Sequence, residues 1–269
     1  MLGSSAASFA RLSDELSSSI AGGADGSVLG DGLLAAAGVL RGQVALRRAV
    51  TDPSTEAGAK SGLARTVFGN HLDTGSLELV VSAAGSRWGS SLDLAEALEQ
   101  LGVVAIALAA ERAGEGDRLE SELFAFGRAV AENPELRAAL SDPARTVEDK
   151  QGLVSSILDG RATAATVRLA REALSGSYGT VTTALDAYSR TAAAARSQSV
   201  ATVRVAHPLT EAQSTRLASA LGRDQSRPVH LNMIVDPDVV GGIHVEIGDH
   251  LVDGSISARL DEARRQVAG

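Results

Sequence analysis

Read from the first residue, apolar positions recur at helical spacing for about 190 residues and then switch to alternation. Leu29, Leu33, Ala37, Leu40 and Val44 follow a 3–4 spacing, and Leu92, Ala95, Leu98, Leu101, Ala105 and Leu108 form a second stripe. Leu119, Leu123, Phe126 and Val130 mark one further helical face, and Leu153, Ile157 and Leu158 another. Such stripes are the faces of amphipathic helices. From Val200 to Ala206 the residues become β-branched, and His207-Pro208 closes the run, because the residue before proline is biased away from the helical region. Thr210 then reads as the N-cap of a helix carrying Leu217 and Leu221 and ended by Gly222. Val229, Leu231, Met233 and Val235 alternate, as do Ile243, Val245 and Ile247, with Gly241-Gly242 and Gly248-Asp249 as the breaks. Asp253-Gly254-Ser255 offers a final helix start, followed by Ile256, Leu260, Ala263 and Val267.

The helical part repeats. At an offset of ninety, LRRAVTDPSTEAGAKSGL (Leu46 to Leu63) lies over LRAALSDPARTVEDKQGL (Leu136 to Leu153) with eight identities, among them Arg47/Arg137, Asp52/Asp142, Pro53/Pro143 and Lys60/Lys150. The same register pairs Leu33 with Leu123 and Trp88-Gly89 with Tyr178-Gly179. Self-similarity at a fixed period means a duplicated unit. The stripe from Leu92 to Leu108 crosses the junction, so one helix leaves the first copy and enters the second. Asp52-Pro53 and Asp142-Pro143 read as N-cap and first turn of a helix, with Lys60 and Lys150 solvated two turns on. The fold expected is mainly α: tandem helical bundle units over 1–101 and 102–195, then a small α/β domain with a short β-sheet over 196–269.

Composition narrows the functions. Aromatics are only 3% of 269 residues, so the core must be small aliphatics, which suits closely packed helices. The net charge of −8 is spread along the chain and argues against a general binder of nucleic acid or anionic membrane. With no cysteine there is no disulfide framework and no thiolate metal site. Neither a secretory signal nor a spanning apolar run is visible, so a soluble cytoplasmic chain is expected.

Catalytic signatures are missing as well. No Walker A motif, G-x-G-x-x-G or G-x-S-x-G occurs. His244 and Glu246 share one strand face and could offer two metal ligands, but the favoured reading is the solvent side of a half-buried sheet. Asp249, His250, Asp253 and Ser255 hold the letters of a triad within seven residues, without the scaffold a triad needs. No cofactor or metal is expected, and no enzyme. Two classes survive: an interaction subunit whose grooves hold partner helices, and a ligand-dependent regulator with the small module as sensor.

VDPDVVGGIHVEIGDHLVDGSISARL (Val235 to Leu260) resembles the C-terminal signature of the ATP synthase delta subunit, whose mitochondrial form is the oligomycin-sensitivity-conferring protein. Asp236, Pro237, Gly241, Gly242, Gly248, Asp249, Asp253, Gly254, Ser255, Arg259 and Leu260 fit that pattern, while Val239-Val240 departs from it mildly. VAHPLTEAQSTRL (Val205 to Leu217) and NPELRAALSDP (Asn133 to Pro143) resemble two other family segments. The resemblance runs from about residue 103 to the end. It implies a non-catalytic stator part that grips N-terminal segments of alpha subunits through a six-helix bundle. Its terminal domain would meet the b subunits of the peripheral stalk. It further implies a single copy in a hetero-oligomeric complex at the cytoplasmic face of a bacterial plasma membrane, without insertion. Leu251, Ile256 and Leu260, with Leu123 and Phe126 on the helical unit, become candidate partner-binding positions. Ordinary members have one helical unit, so removal of residues 1–102 is expected to leave a folded protein.

Overall fold

The computed structural model describes residues 3–197, 199–207, 209–225, 229–236, 243–247 and 250–253. The chain forms two compact units, Met1–Arg196 and Ser197–Gly269. The first unit is helical: α1 (Ser4–Ala21), α2 (Gly26–Gly42), α3 (Val44–Thr51), α4 (Ala57–Phe68), α5 (Thr74–Gly85), α6 (Ser91–Arg112), α7 (Gly116–Glu132), α8 (Pro134–Ser141), α9 (Val147–Leu158), α10 (Ala164–Glu172) and α11 (Val181–Ser197).

The repeat is metric. α2, α3, α4, α5 and α6 each begin ninety residues before α7, α8, α9, α10 and α11. α1 corresponds to α6 at the same offset, so α6 closes the first bundle and opens the second. Its N-terminal half (Leu94, Leu98, Leu101) is buried in one core with Leu12, Leu16, Leu33 and Leu79, while Val103, Ile106 and Ala110 enter the other with Leu119, Leu123 and Leu169. A capping box at Ser90 and Asp93 fixes where it starts. The expected boundary at 101/102 therefore falls inside a helix, and a cut at 102 would sever it.

Duplicated residues make duplicated contacts. Arg47 donates from Nη1 to the carbonyl of Arg41 at 2.9 Å, and Arg137 does the same to Ala131 at 2.9 Å. The two Asp-Pro pairs differ from expectation. Asp52 and Asp142 end α3 and α8 rather than beginning helices, and their Oδ1 atoms accept from the backbone N–H of Ser54 (2.8 Å) and Ala144 (2.9 Å). Each opens a β-turn closed by Thr55 or Arg145, with proline at the second position, where its fixed φ suits the turn. Lys60 also differs: it is only 4% exposed, and its Nζ donates to the Ser86 carbonyl at the end of α5, at 3.1 Å. Its stem is buried with the helices, and the ammonium meets the negative end of a helix dipole. Trp88 and Tyr178 pack within the unit, Trp88 donating to the Ala83 carbonyl and Tyr178 standing edge-on to Tyr188.

In the second unit β1 (Ser199–Val205), α12 (Glu211–Gln225), β2 (Val229–Val235), β3 (Ile243–Ile247) and β4 (His250–Asp253) build a four-stranded sheet of order β2-β1-β3-β4. β1 and β2 are parallel across the α12 crossover, and the remaining pairs are antiparallel. Thr210 and Gln213 form a reciprocal cap before α12, which passes through Gly222 instead of stopping there. Val203, Val205 and Val245 are the buried centre, with Leu217, Leu221 and Leu231 packed against them.

Candidate interaction site

The most developed site of the helical unit is the joint between its two bundles. α2 approaches α6 closely because glycine faces helix: a Cβ on Gly26 would stand 2.7 Å from the Ala105 carbonyl oxygen, and one on Gly102 2.8 Å from Leu34. This proximity carries α2 onto the second bundle. One ridge of α2, Asp31–Leu34–Gly38–Arg41, follows i, i+3, i+7 and i+10 spacing and faces α10. Leu34 is 6% exposed and belongs to the second bundle's core, while Asp31 pairs with Arg168 at 2.8 Å and Arg41 with Glu172 at 2.7 Å. A cleft of about 830 Å³ remains between α2 and α9–α10.

Behind the ridge lies a buried polar cluster. Glu99, 1% exposed, accepts from Arg41 (2.8 Å), from the Ser177 N–H (2.8 Å) and hydroxyl (2.6 Å), and from the Tyr188 hydroxyl. Burial pushes the Glu172 carboxyl above its ordinary range, with Arg41 offsetting part of the effect, and burial raises the Tyr188 phenol as well. These groups satisfy one another across α2, α6, α10 and α11. The arrangement cross-braces two bundles.

The first-bundle counterpart of the α6–α10 seam is the groove between α1 and α5, and among the described residues no helix docks there. It is lined by Arg11, Asp14, Ser18, Glu78 and Ser82 among others, around about 660 Å³. Arg11 bridges it, donating to the Ser82 hydroxyl (2.9 Å) and carbonyl (3.3 Å). One seam is thus filled by the chain itself, and its twin is open among the described residues.

The candidate partner positions separate sharply. Leu123 and Phe126 are 0% and 4% exposed in the second core, because the stripe that makes α7 amphipathic is the stripe that packs it. They are core residues and not a docking surface. Phe124, between them and 61% exposed, was passed over by periodicity; its signal was the offset of ninety, which pairs it with Leu34. Of the signature residues, Asp236 follows β2, donating its N–H to the Val205 carbonyl at 2.9 Å with its carboxylate 4.0 Å from Arg204. Asp253 and Leu251 lie in β4, in register with His244 and Glu246 respectively. Pro237, Gly241, Gly242, Gly248, Asp249, Gly254, Ser255, Ile256 and Leu260 lie outside the described residues, as does the expected final helix.

Residues 103–267 match the family described as ATP synthase delta (OSCP) subunit. ATP synthase subunit delta of Nocardioides sp. is 49% identical over 243 residues, 90% of this chain and 88% of the relative. The subunits named delta of Kineococcus radiotolerans (44% identity, 92% and 90% coverage) and Streptomyces coelicolor (40%, 91% and 89%) are similar over comparable lengths. These alignments leave too few residues unmatched to omit the first bundle. A chain of the Toxoplasma gondii mitochondrial ATP synthase hexamer covers 62% of this chain and 97% of its own length at 16% identity, with a TM-score of 0.26, too low to carry weight.

Proposed function

The chain belongs to the ATP synthase delta (OSCP) subunit family, and on that premise we propose that its helical unit holds N-terminal segments of alpha subunits while its terminal α/β unit meets the b subunits. The chain is a non-catalytic subunit of the peripheral stalk of ATP synthase. It thereby belongs to a membrane-associated complex, and no single helix among the described residues is long and apolar enough to cross a membrane. The finer placement proposed is the cytoplasmic face, one copy per complex, bracing the head against rotation so that proton flow stays coupled to ATP synthesis.

The observation that carries the reading is the unbroken family match from the shared helix α6 through the terminal sheet. The open groove between α1 and α5 supports a helix-in-groove contact, since its twin in the same chain already holds a helix. The regulator reading has the cleft at the joint, where Asp31 and Glu172 are already paired with Arg168 and Arg41. Purified chain should bind the F1 head and b subunits, with crosslinks from the helical unit to alpha and from the terminal unit to b, and should hydrolyse no ATP alone. Failure to bind F1 under conditions where the complex stays intact would sink the reading.

A further inference from the structure

The duplication supplies a measure of what each surface is for. In the first bundle the ridge Asp31–Leu34–Gly38–Arg41 docks on a helix of its neighbour. Ninety residues on, α7 carries the corresponding ridge, Ser121–Phe124–Arg128–Ala131, on a helix with the same start and end relative to the repeat. All four residues are exposed. The knob Leu34 is 6% exposed and its twin Phe124 is 61% exposed, although both stand on the same outward face of the second helix of a bundle.

We infer that the Phe124 ridge is a docking surface for a helix of another stalk or head subunit, one that offers an apolar hollow to the phenyl ring and no charge opposite Ser121 or Ala131. The inference deepens the stalk-subunit reading and rests on it. The chemistry of the occupant follows from what changed between the twins. The knob grew from aliphatic to aromatic, so the hollow must be larger than the one that takes Leu34. The flanking charges Asp31 and Arg41, which pair with Arg168 and Glu172, became Ser121 and Ala131, so matching charges on the partner would go unpaired. Arg128 is already engaged with Glu132 one turn along. The small residues Ser121 and Ala125 beside the ring leave room for close backbone approach. A second copy of this chain does not fit in its α1–α5 groove, because that groove is lined by Arg11, Asp14, Glu15 and Glu78, which would set charge against the uncharged flanks of the ridge. An aromatic anchor in such a setting is the residue type that dominates interface energies.

The chain contains no cysteine, so Phe124→Cys places a single thiol on the ridge. Maleimide labelling of this variant is to be timed in the isolated full chain and in the assembled synthase, followed by a short bismaleimide crosslinker. Rapid labelling in the free chain, at least tenfold slower labelling in the complex and a crosslink to a different subunit are expected. Equal rates in both states overturn the inference. So does protection already present in the free chain, which would mean the terminal unit covers the ridge, or a crosslink only to another copy of this chain. A variant that never enters the complex alongside a wild-type chain that does shows disruption at this face. If the wild-type chain also stays out, the stalk reading falls and this one with it. Phe124→Ala, with its thermal midpoint unchanged, should dissociate from the complex about tenfold faster; an unchanged rate counts against the ridge.

Discussion

At the residue scale, the joint holds more negative than positive charge. Glu99 and Glu172 share the one guanidinium of Arg41. Because burial raises the Glu172 carboxyl, its share of stability is fully present below the ordinary carboxylate pKa of about 4.3 and is lost as pH rises through the raised folded value. The thermal midpoint should therefore carry a component that falls from about pH 4 upward. Glu172→Gln should flatten that component while Glu99 keeps Arg41 paired; an unchanged slope between wild type and variant in a pH series of melts would refute this. Glu122 has the opposite sign: burial pushes it up, but hydrogen bonds from the Thr163 N–H, Thr166, Thr163 and Arg118 outweigh that and hold it low. None of this was readable in the sequence. Glu99, Arg41 and Glu172 come together from positions 58 and 131 residues apart, and Lys60 looked solvated because its acceptor lies 26 residues on.

At the element scale, periodicity found what depends on one face of one segment. The stripe of α7 was legible because it buries one side, and those of α2 and α6 because their apolar residues enter two cores. The alternation of β2 marked a strand although Met233 and Val235 are exposed. α1 was not: it is rich in serine, and only Leu12, Leu16 and Ile20 mark its buried side. Strand order was not legible either, since alternation tells which way a side chain faces and not which strand lies beside it; β1 stands between β2 and β3. Glycines within helices show the same limit. Gly26 lies against the Ala105 carbonyl, whereas Gly62 in α4 and its twin Gly152 in α9 face open space. Gly26→Ala should cost about 1–3 kcal/mol through overpacking. Gly62→Ala and Gly152→Ala should each gain up to about 1 kcal/mol from helix propensity. Denaturant melts of the three variants test the contrast, and a stabilising Gly26→Ala would mean α2 and α6 are not in close contact. The structure offers no packing reason for glycine at positions 62 and 152.

At the scale of the whole molecule, the duplication and the helix that crosses it were legible in the sequence, while the structure puts residue 102 inside α6 and so predicts a different outcome for removal of residues 1–102 than a folded protein. Removal of 1–102 leaves half of α6, and removal of 1–89 keeps the helix with its Ser90 cap but bares Leu94, Leu98 and Leu101. Each such leucine is worth roughly 2 kcal/mol of lost burial. Neither truncated chain should unfold as a cooperative monomer near the midpoint of the full chain, as followed by circular dichroism and gel filtration. A cooperative monomeric melt of the 1–102 deletion at that midpoint would show that the second bundle is self-sufficient.

The shared helix also decides how the chain bears load. Two domains joined by a linker or a flat face yield to shear by sliding, because side-chain contacts can be exchanged one at a time. Here a pull applied to one bundle enters a single backbone rod of 22 residues, about 33 Å long, whose ends are rooted in different cores. Stretching it breaks its internal hydrogen bonds, and tilting it strips both cores together. The pair of bundles is a bracket built around one shared rod, and not two beads on a string.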